Sequence, residues 1–338
     1  MTQKTLKIAF IGASGHFMAA VDAMRKDPAL QPVGCCAGVK GEDLSDIKGV
    51  LSCPEYPDCS TLLERERPDI AVVGTHFSEN AGICAALLRR GISCYSEKPA
   101  ATDARGLAAL EEALQHTGAY YTNMLEMRAF PHFLAMRGAV EQGLIGEIRL
   151  VHVQKSYRLG VRPSFYTRRE SYGGTIPWVG AHAFDLIQWI CSARLHPCFA
   201  RHGGTGGAAG EMERSALCAF SMEGGGFASA SLDFLRPEGA PTHADDRMRI
   251  AGSRGVLETV SGRVTLLDEQ GSRALALPRA ENPFAHFVNL VRTGERSPVT
   301  PSAEESVALA RLCLSLRDMA DAAGDGPAGT EDARTAVW

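Results

Sequence analysis

The feature that most constrains this chain is a change of periodicity near residue 122. Before it, short apolar runs alternate with segments of helical period. The runs lie at 6–11, 32–37, 70–74, 92–96 and 119–123, and the helical patterns at about 15–27, 60–67, 79–90 and 103–116. Continuous apolar runs separated by amphipathic helices predict a parallel sheet with both faces covered, a doubly wound α/β domain. After one more helix, at about 132–143, the period shortens. Segments at 147–156, 215–223, 226–235, 246–251, 255–260 and 263–268 read as strands around a helix at about 180–191. They predict a second α+β domain with a large open, mostly antiparallel sheet that buries one face. Helices at about 283–292 and 302–322 close the pattern, and the glycine-rich stretch 203–210 is a connection between strands.

A chain of 338 residues suits two domains at roughly 100–200 residues each. The expected division is 1–122 for the doubly wound domain, 123–323 for the second domain, and 324–338 for a tail. A formal charge of −4 gives no general attraction to nucleic acid or to an anionic membrane. No run approaches the roughly 20 apolar residues of a membrane span. The ten cysteines form no CxxC, so no metal is expected, and several sit in apolar runs as free thiols do in a reducing compartment. Cys35 and Cys36 read as the two faces of one strand. Met1-Thr2-Gln3-Lys4 leads straight into the first strand, so no signal peptide and a cytoplasmic location are expected.

Four segments carry candidate chemistry. The first is the turn Gly12-Ala13-Ser14-Gly15-His16-Phe17 after the first strand. A dinucleotide fingerprint places glycines at the positions of 12, 14 and 17; only the first is present, with Gly15 one position late. A helix N-terminus here still attracts phosphate. The second is the end of the second strand, where Ala37 and Gly38 stand in place of the usual ribose-binding acid, and Lys40 follows. This tilts the expectation from NAD towards NADP. The third is Ser96-Glu97-Lys98-Pro99 at the end of the fourth strand, the edge where such sheets bind ligands. Only seven of the 35 basic residues are lysines, which makes Lys98 a candidate catalytic group. The fourth is Gly173-Gly174-Thr175-Ile176-Pro177-Trp178-Val179-Gly180-Ala181-His182-Ala183-Phe184-Asp185. His182 and Asp185, three apart on a helix, can address one site.

Together these motifs resemble the Gfo/Idh/MocA family of oxidoreductases. The resemblance rests on Glu97-Lys98-Pro99 and the 173–185 segment, supported by Arg128 with Pro131, by the run 143–148 and by the run 249–255. It implies a Rossmann domain followed by an α/β domain whose open sheet often forms the oligomer interface, here a homodimer or homotetramer. It also implies hydride transfer between NAD or NADP and a hydroxyl-bearing carbon of a sugar, sugar acid or cyclitol. Lys98 and His182 match the family's catalytic group. The aspartate common four residues before the histidine is Trp178 here, and the proline common after the third strand is replaced by His76 in Thr75-His76-Phe77.

The resulting expectation has His182 as base, with Lys98 on the reacting oxygen. Trp178, Asp185, Arg158, Arg162 and Tyr166 contact substrate, the arginine forks suiting an acidic or phosphorylated sugar. Gly12, Ser14, Gly15, His16, Phe17, Lys40, Thr75, His76, Glu97 and Lys98 hold the cofactor. Two other readings stand beside it: a sugar lyase that uses NAD transiently, and a sensor that binds nucleotide without turnover.

Overall fold

The computed structural model describes residues 4–324. The tail expected at 324–338 therefore falls, but for its first residue, outside the described residues. Five strands, β1 (Leu6–Ile11), β2 (Leu30–Cys36), β3 (Ile70–Val73), β4 (Ser93–Ser96) and β5 (Tyr121–Asn123), form an all-parallel sheet of order β2-β1-β3-β4-β5. Helices α1 (Met18–Lys26), α2 (Ser45–Val50), α3 (Cys59–Glu66), α4 (Phe77–Arg89) and α5 (Ala104–Gln115) connect them. The strand order reverses between β1 and β3, and the crevice beyond their carboxyl ends is where such sheets place ligands. Cys35 and Cys36 do point into opposite cores, one on each side of the sheet.

The second part holds α6 (Pro131–Glu141), β6 (Ile148–Arg158), α7 (Arg169–Tyr172), α8 (Ala181–Cys191), β7 (Leu195–Gly203), β8 (Ser215–Met222), β9 (Phe227–Arg236), β10 (Ala244–Gly252), β11 (Gly255–Val260), β12 (Arg263–Asp268) and β13 (Gly271–Ala274). Its eight-stranded sheet runs β13-β12-β11-β10-β6-β9-β8-β7 and is antiparallel except at its centre, where β6 and β9 pair in parallel. One face is buried under α6 and α8. On the other, cross-strand register lines up Leu267, Val256, Ala251, Leu150 and Phe227 into an apolar row. Leu150, Phe227 and Leu267 in that row are exposed.

The last two helices, α9 (Pro283–Thr293) and α10 (Ala303–Ala322), return to the first sheet. Phe284, Phe287 and Leu290 complete the core on one side of it, and Ala310 and Leu314 that on the other. A capping box on Ser302 and Glu305 starts α10.

A buried ion pair ties the segment after β5 to α8. Arg128 Nη2 donates to Asp185 Oδ1 at 2.6 Å and Nε to Oδ2 at 2.9 Å. Both residues are buried. This differs from the substrate contact expected of Asp185: its carboxylate is taken by Arg128 and holds the segment after β5 against α8. Removing one partner strands a buried charge. Arg128→Met is expected to lower stability by about 3–5 kcal/mol, and Arg128→Met with Asp185→Leu by clearly less. Urea unfolding of the three proteins checks this, and equal losses for single and double variants would remove the pair from the account.

Candidate functional site

Gly12 makes the turn after β1 with φ +77°, where a Cβ would stand 2.3 Å from the Gly74 carbonyl oxygen. Gly15 follows at φ +91°, where a Cβ would meet the Glu97 carboxylate at 2.2 Å. The late glycine is thus required by an approach of Glu97 to the turn. Glu97 Oε2 accepts the His16 backbone N–H at 2.8 Å, and the His16 ring Nδ1 lies 2.8 Å from the same oxygen. Glu97 has no exposed surface. Burial opposes its charge, but His16 and then Lys98 hold its carboxyl below the ordinary value. Burial likewise opposes a charged His16, and Glu97 outweighs it, so the imidazole is raised.

Lys98 follows Glu97 through the end of β4 and precedes a cis peptide bond to Pro99. Its side chain is almost fully buried. Nζ lies 3.6 Å from the centroid of the Trp178 ring, donates to the Trp178 carbonyl at 3.1 Å and stands 3.8 Å from Glu97 Oε1. Burial brings its ammonium down to about 7, with Lys155 and Arg162 adding to the fall against the pull of Glu97.

Trp178 sits in a π-helical turn, Ile176–Gly180, that leads directly into α8. Such turns recur at functional sites. One turn on, His182 is buried and its Nδ1 has no hydrogen-bond partner. Its ring meets that of His16 edge-on at 5.7 Å. Burial, with Lys98, Lys155 and His16 adding to it, drives His182 well below its usual range, so it is neutral near pH 7. Lys98, His182, His16 and Glu97 are therefore brought together from three elements.

Other expected residues are placed differently. Phe17 packs in the core beneath α1 instead of lining the turn. His76 is stacked on Phe165 at 4.5 Å. Tyr166 is buried edge-on against Trp178 at 5.3 Å. Arg158 donates to the Ala240 carbonyl. Lys40 is exposed in the loop after β2.

Two acids were not read from the sequence. Glu42 folds back to the end of β2: Oε2 accepts the Gly38 N–H at 2.9 Å and the Thr75 hydroxyl at 2.7 Å, and Oε1 accepts the Ala13 N–H at 3.3 Å. A carboxylate therefore does stand beside the glycine turn, which removes the basis of the lean towards NADP. Glu126, after β5, lies 3.4 Å from the Tyr95 hydroxyl, and burial pushes its carboxyl up to about 7.

The fit to a dinucleotide rests on donors. The N–H groups of Ala13, His16 and Gly38 are taken by the Glu42 and Glu97 carboxylates, so the donors open to a phosphate are those at the start of α1. Helix α1 has no side-chain cap, which leaves its first N–H groups open to phosphate.

Comparison with known proteins agrees with this architecture. Residues 6–124 match the model of the oxidoreductase family with NAD-binding Rossmann fold, and residues 133–258 match the Gfo/Idh/MocA C-terminal domain. Inositol 2-dehydrogenase of Rhizobium meliloti (strain 1021) is 29% identical over 122 residues, covering 36% of each chain. Inositol 2-dehydrogenase 4 of Saccharopolyspora erythraea is 22% identical over 207 residues, covering 60% of this chain and 59% of that one. The chain thus matches between about a third and three fifths of the length of these curated relatives. A solved structure from Thermotoga maritima, provisionally named an oxidoreductase, superposes with a TM-score of 0.90 at 42% identity, over 94% of this chain and 98% of that one. The chain belongs to the Gfo/Idh/MocA oxidoreductase family.

Proposed function

We propose that this protein is a nicotinamide-dependent dehydrogenase or reductase acting on a hydroxyl-bearing carbon of a polyhydroxylated, sugar-like substrate. The observation that carries the reading is Lys98, buried at the carboxyl edge of β4 with its amine near neutrality, beside a neutral His182 with an unpartnered ring nitrogen. When bound, the nicotinamide supplies the hydride acceptor or donor. The uncapped N-terminus of α1, brought in by the turn at Gly12 and Gly15, would hold its phosphates.

Lys98 is then the group that exchanges the proton. A group with a value close to the working pH serves best in this role, and His182 is too weak a base there. As a free amine, Lys98 Nζ accepts the proton of the substrate hydroxyl during oxidation; as ammonium it returns the proton during reduction. His182 Nδ1 contacts the same substrate from the helix side. Glu126, bonded by the Tyr95 hydroxyl and interacting with His16 and Glu97, adds a second buried group that titrates near neutrality. This moves the base from His182, the sequence expectation, to Lys98.

Glu42 favours NAD over NADP. Its carboxylate retains acceptor capacity for ribose hydroxyls, whereas a 2′-phosphate would meet like charge. Assembly as a homodimer or homotetramer would cover the apolar row of the open sheet face around Leu150 and Phe227.

Oxidation of a polyol substrate should rise with pH through about 7, because the free amine is the active form, and reduction should fall over the same range. Lys98→Met should lower kcat/KM by ~10²–10⁴-fold while leaving the dissociation constant of NADH nearly unchanged. A pH–rate profile and a fluorescence titration of NADH check both; retention of turnover by the variant would refute the role. For the cofactor, NADH should bind at least ~10-fold tighter than NADPH, and Glu42→Gln should narrow that gap by a similar factor. Tighter NADPH binding by the unaltered protein would reverse the preference.

A further inference from the structure

Around the Trp178 ring, Arg162 and the indole N–H stand without a carboxylate partner among the described residues. Arg162, in the loop after β6, lies over three rings, its Cζ 5.2 Å from the centroid of Phe234, 5.7 Å from Tyr166 and 5.8 Å from Trp178. Its Nε donates to the Leu159 carbonyl at 2.8 Å and its Nη2 to the Arg158 carbonyl at 3.2 Å. Among the described residues no carboxylate pairs with it. The Trp178 ring also receives Lys98 on its face, and its Nε1–H, a donor with no acceptor function, is buried without a partner.

The nearby acids are engaged elsewhere. Glu97 holds His16, Asp246 holds Lys155 at 2.7 Å through Oδ2, its Oδ1 being buried without a partner, and Asp233 accepts from Ser156 at 2.7 Å; none of the three pairs with Arg162 or the Trp178 N–H. Buried polar groups in native proteins are hydrogen-bonded as a rule, so an orphaned indole N–H beside an unpaired guanidinium marks acceptors that a ligand brings. A neutral polyol would leave the Arg162 charge uncompensated. A carboxylate presents two coplanar acceptor oxygens and one negative charge, which match a guanidinium fork and one further N–H.

We propose that the substrate is a hydroxy acid of the aldonate type, whose carboxylate is received by Arg162 and the Trp178 N–H while its reacting hydroxyl lies at Lys98. This rests on the dehydrogenase reading above and narrows its substrate class. In this role Trp178, in the position of the family's aspartate, replaces a carboxylate that would repel such a substrate by an N–H that binds it. Arg162 is a specificity-determining residue here and takes no part in the proton exchange.

Calorimetric titration of the full chain with gluconate, myo-inositol and glucose 6-phosphate, each with and without saturating NADH, tests this. Gluconate should bind at least ~10-fold tighter than either other probe. Arg162→Gln should weaken gluconate by ~10–100-fold, as loss of a charged hydrogen bond does, and change inositol by less than about twofold. Trp178→Phe, which keeps a ring under Lys98 and removes only the N–H, should weaken gluconate alone. Equal or tighter binding of inositol, tighter binding of the phosphate ester, or uniform weakening of all three probes in the variants overturns the proposal. Failure of NADH to bind overturns the dehydrogenase reading instead, and the nucleotide-free titrations still decide the carboxylate preference.

Discussion

The charge on Glu97 organises the crevice. A carboxylate with no exposed surface is costly unless its oxygens are bonded and its charge is met. Here the His16 N–H and ring meet it, drawing the turn after β1 onto the end of β4. That approach excludes any side chain at Gly15 and explains why the turn has its glycine one place late. Asn80 and Asn123 side chains reach the Glu97 carbonyl, both at 3.5 Å, and fix the backbone from which Lys98 departs. The cofactor turn and the candidate proton-exchanging group are thereby set in one geometry by a single carboxylate.

Trp178 then sets the electrostatics. An indole face attracts a cation less strongly than a carboxylate does, so Lys98 is buried with a quadrupole and a carbonyl for company and only a distant share of Glu97. Lys155 and Arg162 add positive charge nearby. The same surroundings keep His182 neutral. An amine brought down to about 7 beside an imidazole held neutral is what moves the proposed proton exchange from His182, the expectation from the sequence, to Lys98.

Much of this was legible in the chain because the parallel sheet writes itself as buried runs. The switch to period two also announced the second sheet. The strands missed were its edges. Strand β7 contains Pro197 at a register shift, and β13 is exposed throughout, so neither carries an alternating apolar pattern. At the site, Glu97, Lys98 and His182 stood out because each is adjacent to a strand end or a glycine-led helix start. Glu42 did not, because it reaches the end of β2 only by a loop that folds back on Gly38. Asp185 was misread for a different reason. Its partner Arg128 is 57 residues away in sequence, and helical spacing to His182 says nothing of which side chain fills the intervening space.

The most direct measurement is the titration of the Lys98 amine itself. With only seven lysines in the chain, the ε-amine of Lys98 is assignable by NMR of the lysine-labelled protein against Lys98→Arg. A midpoint of about 7, well below the ordinary 10.5, is predicted, together with a clear upward shift in Trp178→Asp. A midpoint near 10.5 in the unaltered protein, or one indifferent to the carboxylate at position 178, would contradict the proposed proton exchange by Lys98.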